Sequence, residues 1–267
     1  HIGGFDVRPG FFLLNVSYQT AKGVSFTVSS HGATSCTLLL FRPMAAEPYA
    51  KIRVPDNYKI GDTYSILVFG LKIEEFEYAY QFDGPYDEAK GKLFNKENIL
   101  LDPYAQAVTG QRKWGERPEG GKDFVYKARV VKSTFDWGGI SQLKHPFEDL
   151  VIYETHVRGF TKDKSSNVTG GGTFEGLRQK IPYLKDLGIN AVELMPIFEF
   201  DEMESARVVD GTQLYNYWGY NTVSFFSPNT SYAYNEEHNH EGDELKRLIL
   251  ELKKNGIFNG YRNELKK

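Results

Sequence analysis

Residues 150–196 read LVIYETHVRGFTKDKSSNVTGGGTFEGLRQKIPYLKDLGINAVELMP. Leu150 to Tyr153 is a compact apolar run of the kind that fills a buried parallel strand. Thr173 can cap a helix, and Phe174, Leu177, Ile181, Leu184 and Leu187 then recur at helical spacing. Pro182 falls inside that pattern, so a kink or two short helical pieces is expected there. Gly188 supplies the stop. Ala191 to Met195 is a second apolar strand, closed by Pro196. Strand, crossover helix and strand in so short a span make a right-handed βαβ unit.

Downstream, Leu245, Leu248, Ile249 and Leu252 fall at i, i+3, i+4 and i+7. Asp243 and Glu244 suit the N-terminal end of that helix, Lys253 and Lys254 its C-terminal end, and Asn255-Gly256 stops it. The connection from the second strand to this helix is far longer than the ~2–6 residues usual for such loops, which marks it as functional. It is dense in rings, among them Phe198, Phe200, Tyr215, Tyr217, Trp218, Tyr220, Tyr232 and Tyr234. In βα barrels the active site is built from loops at the C-terminal ends of strands, where this one starts.

Upstream the grammar is different. Val24, Phe26 and Val28 alternate with Ser25 and Thr27, the period of a half-buried strand. Cys36 to Phe41, Lys51 to Val54, Thr63 to Phe69 and Phe76 to Phe82 are further strand candidates, and the series reads as a small β-sandwich. Residues 86–148 are rich in Gly, Pro and Lys, with little periodicity beyond Phe124 to Val131. The expected organisation is therefore mixed: a β-sandwich over 1–85, a connector over 86–148, and over 149–267 the first βα units of an incomplete (β/α)8 barrel.

Composition narrows the function. The 267 residues are 40% hydrophobic and 25% charged, which excludes a disordered or collagen-like chain. Thirty-two basic against 35 acidic residues argue against a nucleic-acid partner. No apolar run approaches the ~18 residues of a membrane span, so no membrane partner is expected. The single cysteine, Cys36, forbids an intrachain disulfide and fits a reducing, cytoplasmic setting. The first residue is His1 rather than Met, so the chain reads as a piece of a longer protein or a processed product. Asn-x-Ser/Thr triplets at Asn15, Asn167 and Asn229 have no secretory signal to give them meaning. Aromatics reach 15%, which fits either a packed β-rich core or a surface for flat, apolar-faced ligands such as sugar rings.

Paired carboxylates are the first chemistry to test, because glycoside cleavage uses an acid and a nucleophile or base. Glu154 follows the first strand and Glu193 sits in the second, but their spacing fixes no pair separation, and a structural role is the default. Glu199, Asp201, Glu202 and Glu204 read as a solvated loop face. His238 and His240, beside Glu237 and Glu241, lack the i, i+4 spacing of a zinc site, so no metal is expected. His145 and His156 stand alone and default to structural roles. Gly170-Gly171-Gly172-Thr173 lacks the Walker lysine, and no cofactor site emerges. Asn216-Tyr217-Trp218-Gly219-Tyr220-Asn221, alternating rings and carboxamides, suits a sugar, whose C–H face stacks on rings while its hydroxyls need polar partners.

NYWGYNTVSFFSPNTSYA (216–233) resembles the loop after the second barrel strand in isoamylase-type glycogen debranching enzymes of glycoside hydrolase family 13. The resemblance extends through GTFEGLRQKIPYLKDLGINAVELMPIFEFDE (172–202) and IYETHVRGFT (152–161). YQFDGPYDEAKG (80–91) and NILLDPYA (98–105) are similar to the end of an N-terminal carbohydrate-binding module of family 48 and its connector. The resemblance implies hydrolysis of α-1,6 branch linkages in glycogen, amylopectin or branched maltodextrin by a retaining mechanism. It implies substrate contact at Tyr217, similar to the family's tyrosine that stacks on the sugar beside the cleaved bond, with Trp218 as second candidate. The module shows no surface Trp pair, so packing against the barrel is its expected role.

The resemblance also implies an Asp nucleophile, a Glu acid/base and a second Asp after the fourth, fifth and seventh strands, all beyond residue 267. Only two strands are expected here, and where the third would bring Asp-x-x-x-x-Asn-His the chain reads IFNGYRNELKK (257–267). A truncation or altered reading frame near 257 would produce this. No catalytic residue is therefore assigned, and the chain alone is expected to be inactive. The alternatives are a non-catalytic glucan-binding protein, or the start of a branching enzyme or a trehalose-releasing hydrolase, which share the same two-domain opening.

Overall fold

The computed structural model describes residues 1–10, 16–110, 113–116, 124–235 and 240–261. Asn15, Glu237 and His238 lie outside them, as does the side chain of His240. The chain forms two compact units, one of residues 1–109 and 119–132, the other of 110–118 and 133–267.

The first unit is a sandwich of two antiparallel sheets. Its strands are β1 (Val7–Pro9), β2 (Tyr18–Gln19), β3 (Gly23–Ser29), β4 (Ser35–Phe41), β5 (Pro48–Arg53), β6 (Lys59–Ile60), β7 (Thr63–Phe69), β8 (Glu77–Asp83), β11 (Ala107–Thr109) and β12 (Lys127–Arg129), with a small arm, β9 (Tyr86–Asp87) and β10 (Lys92–Leu93). One sheet runs β1-β7-β3-β2 with β6 on β7, the other β11-β12-β8-β4-β5. Val24, Phe26 and Val28 meet Leu38, Leu40, Ile66, Val68, Tyr78 and Tyr80 in one apolar core, but the strand is not half-buried as its alternation suggests, since Ser25 and Thr27 are buried too. On the other face Thr27 and Ser65 satisfy one another, hydroxyl to hydroxyl at 2.6 Å. Asp102 is buried beneath β8, where it accepts from the Tyr78 hydroxyl at 2.7 Å. Burial pushes its carboxyl above the ordinary value, opposed by that bond. Cys36 is buried in the core, which pushes its thiol up.

The stretch expected as a connector is divided differently. β11 and β12 pair with each other, and β12 with β8, so they extend the sandwich. Too short to show periodicity, they are held by partners remote in sequence. Gly110 to Pro118 belongs instead to the second unit.

That unit opens with β13 (Ile152–Thr155), followed by α1 (Val157–Thr161), α2 (Phe174–Arg178), α3 (Ile181–Asp186) and β14 (Ala191–Leu194). Thr173 caps α2, its hydroxyl accepting from Gly176 N–H. The helical stretch is split as Pro182 demands, with the proline in the first turn of α3, where its missing N–H costs nothing. β13 and β14 are parallel, Glu154 beside Glu193. After a long connection of β15 (Phe198–Phe200), β16 (Arg207–Val209), β17 (Thr212–Leu214) and β18 (Thr222–Pro228) comes α4 (His240–Lys254).

A third parallel strand, β19 (Phe258–Tyr261), then pairs with β14, which corrects the expectation of two. Its sequence lacks the family motif, but pairing uses the backbone: Gly256 turns the chain at φ 75° and Phe258 N–H donates to Asn190 O at 2.8 Å. Val192 and Leu194 face the helices in a second apolar core with Phe174, Leu177, Leu184, Leu248 and Leu252. On the opposite face, among the described residues, Ile152 and Phe258 are left 52% and 44% exposed. Parallel sheets are ordinarily covered on both faces. Limited proteolysis is therefore expected to cut first beyond residue 150 while the sandwich persists; equal resistance in both halves would overturn this.

Candidate functional site

The long connection is a folded ribbon rather than a loose loop. β15 and β18 pair antiparallel with two register shifts, and β16 and β17 form a hairpin between them. The ribbon brings Asn216 onto Glu202, whose carbonyl accepts from Asn216 N–H at 2.8 Å. Gly219 is required here: its φ is +79°, and a Cβ would sit 2.5 Å from the Phe200 ring.

Tyr217 is half-buried and held on one side. The His156 ring stacks on it with centroids 4.3 Å apart and planes 11° from parallel. His156 caps α1, its Nδ1 accepting from Gly159 N–H at 3.1 Å. The proton of the neutral ring is thereby assigned to Nε2, which donates to Tyr217 O at 2.8 Å. Burial holds this imidazole below its ordinary pKa; the Tyr217 carbonyl opposes that and Arg158 reinforces it. Gly159 makes room, since a Cβ there would meet the Tyr217 hydroxyl.

Beneath lies a cluster the sequence did not announce. Trp114 stacks on Tyr232 with centroids 6.3 Å apart and meets Tyr217 and Phe200 edge-on. The Arg158 guanidinium lies over Trp114, 4.4 Å from its ring centroid. Tyr232 is fully buried, with Phe174 and Phe200 packed edge-on. Trp114 is isolated in a stretch without periodicity, so only its place in the fold reveals it. Arg158 lies inside the quoted IYETHVRGFT motif, the one available signal.

The acidic run is not the solvated face expected of it. Glu199 and Glu202 are fully buried, whereas Glu204 is exposed. Glu199 accepts from Thr230 N–H at 2.7 Å and its hydroxyl at 3.2 Å, while burial pushes its carboxyl well above the usual range. Glu202 accepts from Gly115 N–H at 3.1 Å, and its Oε2 is buried without a hydrogen bond. Burial raises Glu202 to about 7, with Asp201 adding to the rise and the Gly115 N–H and Arg158 opposing it.

Trp218 is 53% exposed, edge-on to Tyr217 at 5.2 Å. With Arg207, Gln213, Asn216 and Asn221, the two rings line an open groove of about 570 Å³. Aromatic faces beside amides and a guanidinium can take a sugar ring. Glu154 and Glu193 are brought together as neighbours on one sheet face, away from this groove's lining. They would meet a ligand from the same side, whereas a retaining acid and nucleophile flank the bond. His145 Nε2–H donates to Gly256 O at 2.9 Å, a structural tie. Among the described residues no group of three or more His, Cys, Asp or Glu is placed to hold a metal ion, and no helix is long and apolar enough to cross a membrane.

Residues 13–105 match carbohydrate-binding module 48, the isoamylase N-terminal domain, and residues 157–259 match the alpha amylase catalytic domain. Over 245 residues the chain is 38% identical to isoamylase 1, chloroplastic, of Oryza sativa subsp. japonica, covering 88% of this chain and 30% of that protein. The chain is similar to the N-terminal part of isoamylase-type debranching enzymes. The glycogen debranching enzyme of Yersinia enterocolitica is 33% identical to this chain over 252 residues, 88% of this chain and 36% of that enzyme. The chain thus spans about a third of the length of the curated relatives it matches, over their N-terminal part. Among solved structures, the Group B Streptococcus pullulanase SAP aligns with a TM-score of 0.70 at 25% identity, covering 92% of this chain and 32% of that one. The apo pullulanase of Paenibacillus barengoltzii aligns with a TM-score of 0.72 at 19% identity over 92% of this chain and 36% of its own, a likeness of fold.

Proposed function

We propose that this chain serves a debranching hydrolase acting on the α-1,6 linkages of glycogen, amylopectin or branched maltodextrin, and that its own part is to hold the α-glucan at Tyr217 and Trp218. The carrying observation is the pinned tyrosine: one face occupied by His156, the ring bordering an amide-lined groove. A ring fixed before the ligand arrives loses little freedom on binding, which favours affinity. No carboxylate here is assigned to catalysis, because Glu154 and Glu193 stand side by side on one wall. The lone buried Cys36 supports a reducing, cytoplasmic setting.

Calorimetric titration of the purified chain with maltoheptaose tests the reading, together with a reducing-end assay on pullulan. Tyr217→Ala is expected to weaken binding at least about tenfold, roughly 1.4 kcal/mol, and no reducing ends are expected from any form. An unchanged affinity with a strongly lowered melting temperature would make Tyr217 a packing residue instead. Turnover abolished by Glu154→Gln or Glu193→Gln would return catalysis to that pair.

A further inference from the structure

Both ring nitrogens of His156 are committed. Nδ1 accepts from Gly159 N–H at 3.1 Å, closing the first turn of α1, and Nε2–H donates to Tyr217 O at 2.8 Å. Only the neutral imidazole protonated at Nε2 can do both, because an imidazolium carries a proton on each nitrogen and accepts nothing. The residue is 6% exposed, which leaves little water to replace either bond.

Tyr217 depends on this imidazole in three ways. Its carbonyl is held by Nε2–H, one face of its ring lies against the imidazole, and its hydroxyl sits over Gly159, in the turn that Nδ1 closes. A proton arriving at Nδ1 would set two N–H groups against each other where a hydrogen bond now stands. The turn carrying Gly159 would then have to move, and Tyr217 would lose its support. The groups facing the imidazole favour the neutral form. Arg158, from α1, disfavours a second positive charge and burial acts in the same direction, while the Tyr217 carbonyl opposes them. Tyr232, from the turn after β18, presents its hydroxyl 3.3 Å from Nε2. The buried carboxylates Glu199 and Glu202 act on Tyr232, and neither offsets the charge of an imidazolium here.

We infer that His156 is a positioning residue that holds the Tyr217 platform only while its imidazole is neutral, so that acid releases the platform and the α-glucan on it. This rests on the α-glucan reading above, and every group concerned belongs to the second unit. Affinity is then level while the imidazole is neutral. Below the pKa of His156 in the folded chain, the neutral fraction and the affinity with it fall about tenfold per pH unit.

The test is NMR titration of the full 267-residue chain from neutral pH downward, following the His156 ring nitrogens and the Tyr217 ring, with maltoheptaose calorimetry over the same range. The expected results are a proton on Nε2 alone at neutral pH, Tyr217 ring shifts that move with the His156 titration, and an affinity that falls with the same midpoint. His156→Asn keeps a side chain that can cap α1 but has no imidazole to stack and no proton to gain. It is expected to bind at least about tenfold more weakly at neutral pH and to lose the acid-dependent fall. Glu202 titrates in both forms, so the difference between them isolates His156. Should that variant not fold, the Tyr217 shifts of the parent decide. A proton on Nδ1 at neutral pH, Tyr217 shifts indifferent to the His156 titration, or an equal fall in affinity in His156→Asn would overturn the inference. Absence of maltoheptaose binding at neutral pH, with the Tyr217 ring still following His156, would overturn the α-glucan reading and uphold the positioning role.

Discussion

Tyr232→Ala is expected to destabilise the second unit by about 3–5 kcal/mol, the range for removing a large aromatic from a core. The ring is fully buried and touches four others, Trp114, His156, Phe174 and Phe200. Backbone and side-chain bonds on either side, such as Thr230 to Glu199 and Ser231 to Asn229, restrict collapse into the space left. Tyr232→Phe is the control. It removes a hydroxyl 3.3 Å from His156 Nε2, which keeps its shorter bond to the Tyr217 carbonyl, so about 1 kcal/mol is expected. Urea unfolding followed by tryptophan emission reads both, since Trp114 lies in the cluster and Trp218 at its edge. A loss below about 1 kcal/mol for the alanine variant would show that the rings are loosely packed.

Glu202→Gln is expected to flatten the stability of the second unit across mildly acidic pH. The unfolded carboxyl titrates near 4.5 and the folded one at about 7. Between those values the folded form keeps a proton that the unfolded form has released, so stability is greatest below about 4.5 and falls as pH rises towards 7. At ~1.4 kcal/mol per pKa unit the whole window amounts to about 3 kcal/mol. Glutamine retains an acceptor for Gly115 N–H and cannot ionise. The measurement is the difference between parent and variant, in which Glu244, also raised by burial, cancels, whereas Glu199, which the Glu202 charge helps to raise, shifts with it. Parallel pH profiles would show that water reaches the Glu202 carboxylate.

Much of the fold was legible because local signals and tertiary partners agree. Val24, Phe26 and Val28 point one way along a strand, Thr173 caps a helix, and Pro182 splits one, all within reach of a short window. The acidic run failed for the opposite reason. Whether Glu199 and Glu202 are wet depends on Thr230, Gly115 and Arg158, which lie elsewhere in the chain. β19 was missed because Phe258–Tyr261 has neither length nor an apolar run, and its pairing is made by backbone groups that any sequence carries. Of the candidate site, Tyr217 and Trp218 stood out by resemblance. Trp114, which supports them, is visible only once the chain is folded.

Trp114 joins rings that follow it only after the whole βαβ unit and the ribbon have been laid down. Closing so long a loop costs entropy that grows with its length, and contacts of large sequence separation tend to form late. The ring cluster is therefore expected to close late in the assembly of this unit, so that substitution of Trp114 raises the unfolding rate and leaves the folding rate nearly unchanged in stopped-flow measurements. Weakening a late contact quickens opening and barely slows formation. On that expectation, the lifetime of the finished groove follows how long Trp114 stays seated against Tyr232.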